Sequence, residues 1–275
     1  MREQKYLSGW GSIAILLSPA LVIFSSLPVG LLAQPYPELK VSLQVPEDQN
    51  VGQPASTVGA GTRSPSFCPK DNQEGKMPLT GLMPIGNKLN QETRVATNQT
   101  LTVAASPTFF VYVPETTAKS VKFWLGDDQD NKVYETSLQL PTVLSSDVSS
   151  SSVSTPGIVK LSLPANVSLE TGKTYHWEFQ LNCPPDNNGD ASDNPLVEGW
   201  IQRTELSSDL KTKIEQATPL EQAKLYAKAR IWSEALMLAA QLRSSHPAEW
   251  EELLKSVGLN EIAQVPLLEC CTLEN

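Results

Sequence analysis

The clearest pattern along the chain is an alternation. Tyr175, Trp177, Phe179 and Leu181 are apolar, and His176, Glu178, Gln180 and Asn182 between them are polar. Period two puts the two sets on opposite faces of a strand, so the spacing predicts a half-buried β-strand with its polar set outward. Similar short segments surround it. Phe109 to Val113 is a β-branched and aromatic run. Val121, Phe123 and Leu125 alternate with Lys122 and Trp124, and Val133 to Thr136 resumes after a polar turn at Asp127 to Asn131. Ile158 to Leu163 and Glu198 to Thr204 complete the set. Short strands separated by Pro, Gly and Asp turns predict an antiparallel immunoglobulin-like β-sandwich over residues 67–204. Ser145 to Ser154 carries seven serines in ten positions and reads as a solvated hairpin insertion.

After Thr204 the period becomes helical. A helix is expected near Ser208 to Gln216. Thr218-Pro219-Leu220-Glu221 is a capping box with proline at the first helical position, opening a helix to about Ala229. Ile231, Ala235, Leu238 and Leu242 form one stripe of a third helix. Pro247 begins a fourth, through Trp250, Leu253 and Leu254, which Gly258 can cap. Ala223, Tyr226, Trp232, Ala235 and Pro247 have the spacing of one tetratricopeptide-like helical hairpin. The fold class is therefore α+β: a sandwich followed by a C-terminal α-helical region, residues 205–275.

The N-terminus follows neither period. No charged residue lies between Leu7 and Pro37, and Trp10 to Leu32 is largely apolar after Arg2 and Lys5. A basic start, an apolar middle and a small residue before a polar one describe a signal peptide, residues 1–33, cut after Ala33. The alternative is a retained membrane anchor, for which about 20 apolar residues suffice. Ser18-Pro19 and Ser25 to Pro28 interrupt such a helix. Residues 34–66, rich in Pro, Gly, Ser, Val and Gln, read as a flexible leader.

Composition then narrows the function. The chain has 275 residues and a formal net charge of −9, and loss of the signal makes it one unit more negative. That balance argues against a nucleic-acid partner, which needs a basic face. An exported chain is periplasmic or secreted, where the four cysteines can oxidise. Four thiols allow three pairings. Adjacent Cys270 and Cys271 rarely bond each other. The favoured bridge is Cys68–Cys183, with the pairing of Cys270 and Cys271 left open.

Several of these segments resemble a known family. They are Gly59-Ala60-Gly61-Thr62-Arg63 before Cys68, Pro107 to Pro114, Pro156 to Val159, Gly172 to Cys183, Val197 to Arg203, Ile231 to Leu236, and Ser256 to Leu259. Together they are similar to the cyanobacterial domain of unknown function 928 family, over roughly residues 59–271. The resemblance implies a cyanobacterial exported protein without an established activity, and it carries no site residues over.

Candidate chemistry is sparse. There are two histidines, His176 and His246, no Gly-x-Ser-x-Gly elbow and no His-Glu-x-x-His run. Asp186, Asn188, Asp190 and Ser192 offer oxygen at alternate positions, a pattern that suits calcium. The competing reading is a polar hairpin loop. The turn at Asp127, Asp128 and Asp130 is a weaker version. Glu198, Trp200 and Arg203 form a candidate contact patch, since Trp and Arg dominate binding hot spots. No catalytic residue is assigned, and calcium is the one cofactor considered. The expectation is a non-enzymatic binding or assembly module of the cell envelope, whose partner is an envelope protein or a glycan. Membrane contact would come only through an uncleaved N-terminus. Two rivals remain. One is an envelope hydrolase joining His176 and Glu178 to a serine or an acid from elsewhere. The other is a calcium-dependent glycan-binding module.

Overall fold

The alternating segment forms the strand Thr174–Asn182, with every second residue from Tyr175 to Leu181 buried and the others half-buried. The structure, a computed structural model, describes residues 43, 67–84, 99–144, 152–154, 156–184 and 194–268. The signal segment, all of the leader except Leu43 and Cys270 and Cys271 lie outside the described residues. So do the serine run from 145 to 151 and the calcium candidates Asp186, Asn188, Asp190 and Ser192.

In chain order the strands are β1 (Thr80–Gly81), β2 (Gln99–Thr102), β3 (Thr108–Val113), β4 (Ser120–Gly126), β5 (Lys132–Gln139), β6 (Thr142–Leu144), β7 (Ser152–Ser154), β8 (Gly157–Ser162), β9 (Thr174–Asn182), β10 (Leu196–Arg203) and β11 (Leu267–Leu268). The helices are α1 (Ser208–Gln216), α2 (Pro219–Lys228), α3 (Trp232–Leu242) and α4 (Pro247–Lys255), followed by a 3-10 turn at Asn260–Ile262. One sheet has the order β1-β3-β8-β11 and the second β2-β10-β9-β4-β5. β6 and β7 pair antiparallel at the two ends of the serine-rich insertion.

Most pairings are antiparallel, but two are not. β2 runs parallel to β10, and β11 runs parallel to β8. This corrects the purely antiparallel expectation. Alternation reports which face a side chain takes, not the direction of the neighbouring strand, and a long crossover between distant segments permits parallel pairing. β11 was not expected at all. It is two residues long, and the Arg243 guanidinium of the helical segment donates to the Ala263 and Val265 carbonyls just before it.

The core lies between the sheets. Phe109 of β3 packs against Phe123 of β4 and Trp177 of β9, with ring centroids 5.0 and 5.5 Å apart. Phe179, Leu125, Leu181 and Ile201 are also almost fully buried. In β3 both alternate sets are buried, as expected of a continuous apolar run covered on two sides. α3 packs against β2 and β3, and the Trp232 indole donates to the Leu82 carbonyl at 2.8 Å.

α2 and α3 meet through small residues: Ala223, Ala227, Ala235 and Ala239 are all within 2% of full burial. At the start of α2, Thr218 accepts from the Glu221 amide, and Glu221 accepts from the Thr218 amide at 2.8 Å. Thr218→Ala removes one side of this box and should lower unfolding free energy by about 1 kcal/mol. Thermal denaturation checks it; an unchanged midpoint would mean that packing alone holds the α2 terminus.

Candidate functional site

Sheet register assembles a group of ionisable and aromatic side chains on the outer face of the five-stranded sheet. In the β9–β10 ladder, His176 stands opposite Trp200 and Glu178 opposite Glu198. In the β4–β9 ladder, Glu178 stands opposite Trp124 and Gln180 opposite Lys122. All of these belong to the polar sets of their strands, so their side chains rise from one surface.

His176 is the centre. Its ring stacks on Trp200 with centroids 4.7 Å apart and planes 18° apart, and it meets Trp124 edge-on at 5.8 Å. Trp124 can lie in this position because residue 126 is glycine: a Cβ there would collide with the Trp124 ring. Each imidazole nitrogen faces a carboxylate. Nδ1 is 3.5 Å from Asp130 Oδ1, and Nε2 is 3.4 Å from Glu198 Oε2. The hydrogen bond to Glu198 raises the His176 pKa above its ordinary value, against the opposing effect of burial. Burial, above all, pushes the Glu178 carboxyl upward.

The β4–β5 turn supplies Asp130. Asp130 takes a left-handed conformation, φ 59°, which Asp tolerates better than most residues. Asp127 holds the turn, accepting from the Gln129 and Asn131 amides at 2.9 Å each. Its hydrogen bonds with Asn131 lower the Asp127 pKa. The turn carboxylates are therefore not a convergent calcium set: Asp127 is occupied by its own backbone and Asp130 faces His176.

Lys122 pairs with Glu135 at 3.0 Å, and this contact lowers the Glu135 pKa. Lys122, Trp124, Asp130, Glu135, His176, Glu178 and Gln180 line an open groove of about 410 Å³.

Of the sequence candidates, Glu198 and Trp200 join this cluster. Arg203 does not. Its guanidinium donates to the Leu169 carbonyl at 2.7 Å and the Val103 carbonyl at 3.3 Å, fastening the end of β10 to neighbouring loops. Sequence reasoning missed Trp124 and Asp130 as partners of His176, and Glu135 as the partner of Lys122 in the groove. The two-residue period placed His176, Glu178 and Trp124 on outward faces, but only register shows that these faces adjoin. Cys68 and Cys183 form a disulfide.

Residues 58–267 match the family described as Domain of Unknown Function (DUF928). Among curated proteins and among solved structures, none matches the chain.

Proposed function

The chain belongs to the domain of unknown function 928 family, and from that premise we propose that it is an exported, non-enzymatic binding module of the cell envelope. The observation that carries this reading is the outer-face groove: Trp124 and His176 line it beside carboxylates, an amide and a lysine, and Trp200 stacks on the His176 ring. Aromatic faces pack on the C–H faces of a sugar ring, while carboxylates and Gln180 accept and donate to its hydroxyls. A groove of this lining suits a glycan better than a flat protein surface. The uncharged run from Leu7 to Pro37 supports export, and the Cys68–Cys183 bridge suits an oxidising compartment, periplasmic or secreted.

The same reading takes the facing sheets as an immunoglobulin-like sandwich and α2–α3 as a tetratricopeptide-like hairpin. The Phe109 contacts support the first, and the alanines between α2 and α3 the second. The family resemblance supports a cyanobacterial source.

Titration of the full chain with oligosaccharides from envelope preparations tests the function. Binding is expected, and Trp124→Ala should weaken it about tenfold or more, as truncation of a central aromatic does. Retention of the same glycan by Trp200→Ala and by Trp124→Ala would overturn the reading.

A hydrolase remains the second reading because the groove joins His176 and Glu178 to Asp130, and Glu198 stands against the other nitrogen of the His176 ring. Release of sugar or peptide fragments from envelope material, lost in Glu178→Gln, would favour it over simple binding.

A further inference from the structure

We infer that His176, Glu178 and Glu198 form a binding site for a zinc-type divalent transition cation. This goes beyond the glycan-binding reading and does not depend on it.

The first argument is convergence. One ligand atom from each of the three residues lies within 4.8 Å of the others. Around a tetrahedral zinc ion with bonds near 2.0–2.2 Å, ligand atoms stand about 3.3 Å apart. Nε2 of His176 and Oε2 of Glu198 already have that spacing, at 3.4 Å. The remaining gap, at most about 1.5 Å against that ideal, closes by side-chain rotation.

The second argument is the far side of the imidazole. A metal-bound histidine gives its other ring N–H to a carboxylate or carbonyl, which sets the tautomer and ring direction. Asp130 occupies that place beside Nδ1 and leaves Nε2 facing Glu198. The stack on Trp200 holds the ring plane. Hence the ligand geometry is fixed by paired strands and one turn rather than by a free loop.

The third argument is a cost that a cation removes. Glu178 and Glu198 are direct cross-strand partners, both half-buried. Like charges directly opposite in a ladder are destabilising. Lys122, which lines the same groove, is engaged with Glu135. A divalent ion between the glutamates turns the repulsion into attraction.

The donor set selects the ion. One imidazole nitrogen and two carboxylates suit zinc and its first-row neighbours, whereas calcium and magnesium favour oxygen alone. Three protein ligands leave a further coordination position open toward the groove for water or a bound ligand.

The test uses the full chain, stripped with a chelator and titrated with zinc and with cobalt(II). One equivalent is expected to bind, with a visible cobalt absorption band and a raised melting temperature. His176→Ala and Glu198→Gln should each weaken the affinity by about 100-fold or more, and Asp130→Asn by about 10- to 100-fold. Asp209→Asn on α1, remote in sequence and paired with Lys213, should leave it unchanged. Circular dichroism of each stripped variant reports folding. If His176→Ala does not fold, the isosteric Glu198→Gln and Asp130→Asn decide the matter. Absence of stoichiometric binding, or binding undiminished in Glu198→Gln and Asp130→Asn, overturns the site. Glycan titration of the chelated chain separates the two proposals: retained glycan binding without metal binding leaves the glycan reading standing and removes the metal site.

Discussion

Cys68→Ala combined with Cys183→Ala is expected to lower the unfolding free energy by about 4 kcal/mol. The two cysteines are 115 residues apart, and the bridge ties the segment before β1 to the residue after β9. In the unfolded chain that link removes the entropy of a long open loop, a contribution of roughly 4–5 kcal/mol for loops near this length. In urea, with a slope of about 2 kcal/mol per molar, the midpoint should fall by about 2 M. Reduced wild-type protein should behave like the double variant, which separates loss of the bond from loss of the sulfur atoms. Cys68 is buried at 1% exposure, so a small packing loss adds to the variant alone. A shift under about 0.5 M in both would show that the unfolded chain is already restricted without the bridge.

Glu234→Ala is the second large effect, with an expected loss of about 3 kcal/mol. Glu234 sits in the first turn of α3 and is only 8% exposed. Its Oε1 accepts from the Thr102 hydroxyl at 2.7 Å and from the Val103 and Ala104 amides at 2.9 Å each. Those donors are the last residue of β2 and the two after it, so this one carboxylate joins the helical region to the edge of the five-stranded sheet. Alanine strands the donors in a site that water does not readily reach, at about 1 kcal/mol or more for each. Glu234→Gln keeps an acceptor for them and should cost about half as much. Its new N–H2 group takes the place of Oε2, the buried oxygen that has no hydrogen-bond partner among the described residues. Denaturation gives the magnitudes. Amide exchange at Val103 and Ala104 gives the cause, because those two amides should lose protection more than the rest of the sheet. Unchanged protection there would mean that the loss comes from α3 packing instead.

The helices were the most legible part of the fold. The Thr218 box, Pro247 at the head of α4 and Gly258 after its end are local signals, readable within a few residues. The β9 alternation was equally plain because a half-buried strand must repeat every second position. Glu234 was not legible in this way. It stands within an apolar stripe, and a surface charge and a buried acceptor look the same in a sequence. Arg203 shows the reverse error of inference. A Trp and an Arg three residues apart suggested one patch, but period two sends Arg203 and Trp200 to different sides, and backbone carbonyls claim the guanidinium.

By itself, the sequence determined the longer strands β3, β4, β5, β8, β9 and β10 and the four helices, which face of β4 and β9 turns inward, and that the uncharged run from Leu7 to Pro37 follows a pattern unlike either. Those features depend on neighbours within one or two turns of chain. Only the tertiary structure decided which strands adjoin, that β2 and β11 run parallel to their neighbours, that Trp124, Asp130, His176 and Glu178 share a groove, and that Glu198 and Trp200 stand against the His176 ring. The physical reason is that cross-strand pairing joins residues far apart in the chain. Periodicity sets the side a residue faces, whereas register, fixed by turns and by packing of the buried face, sets which residue it meets.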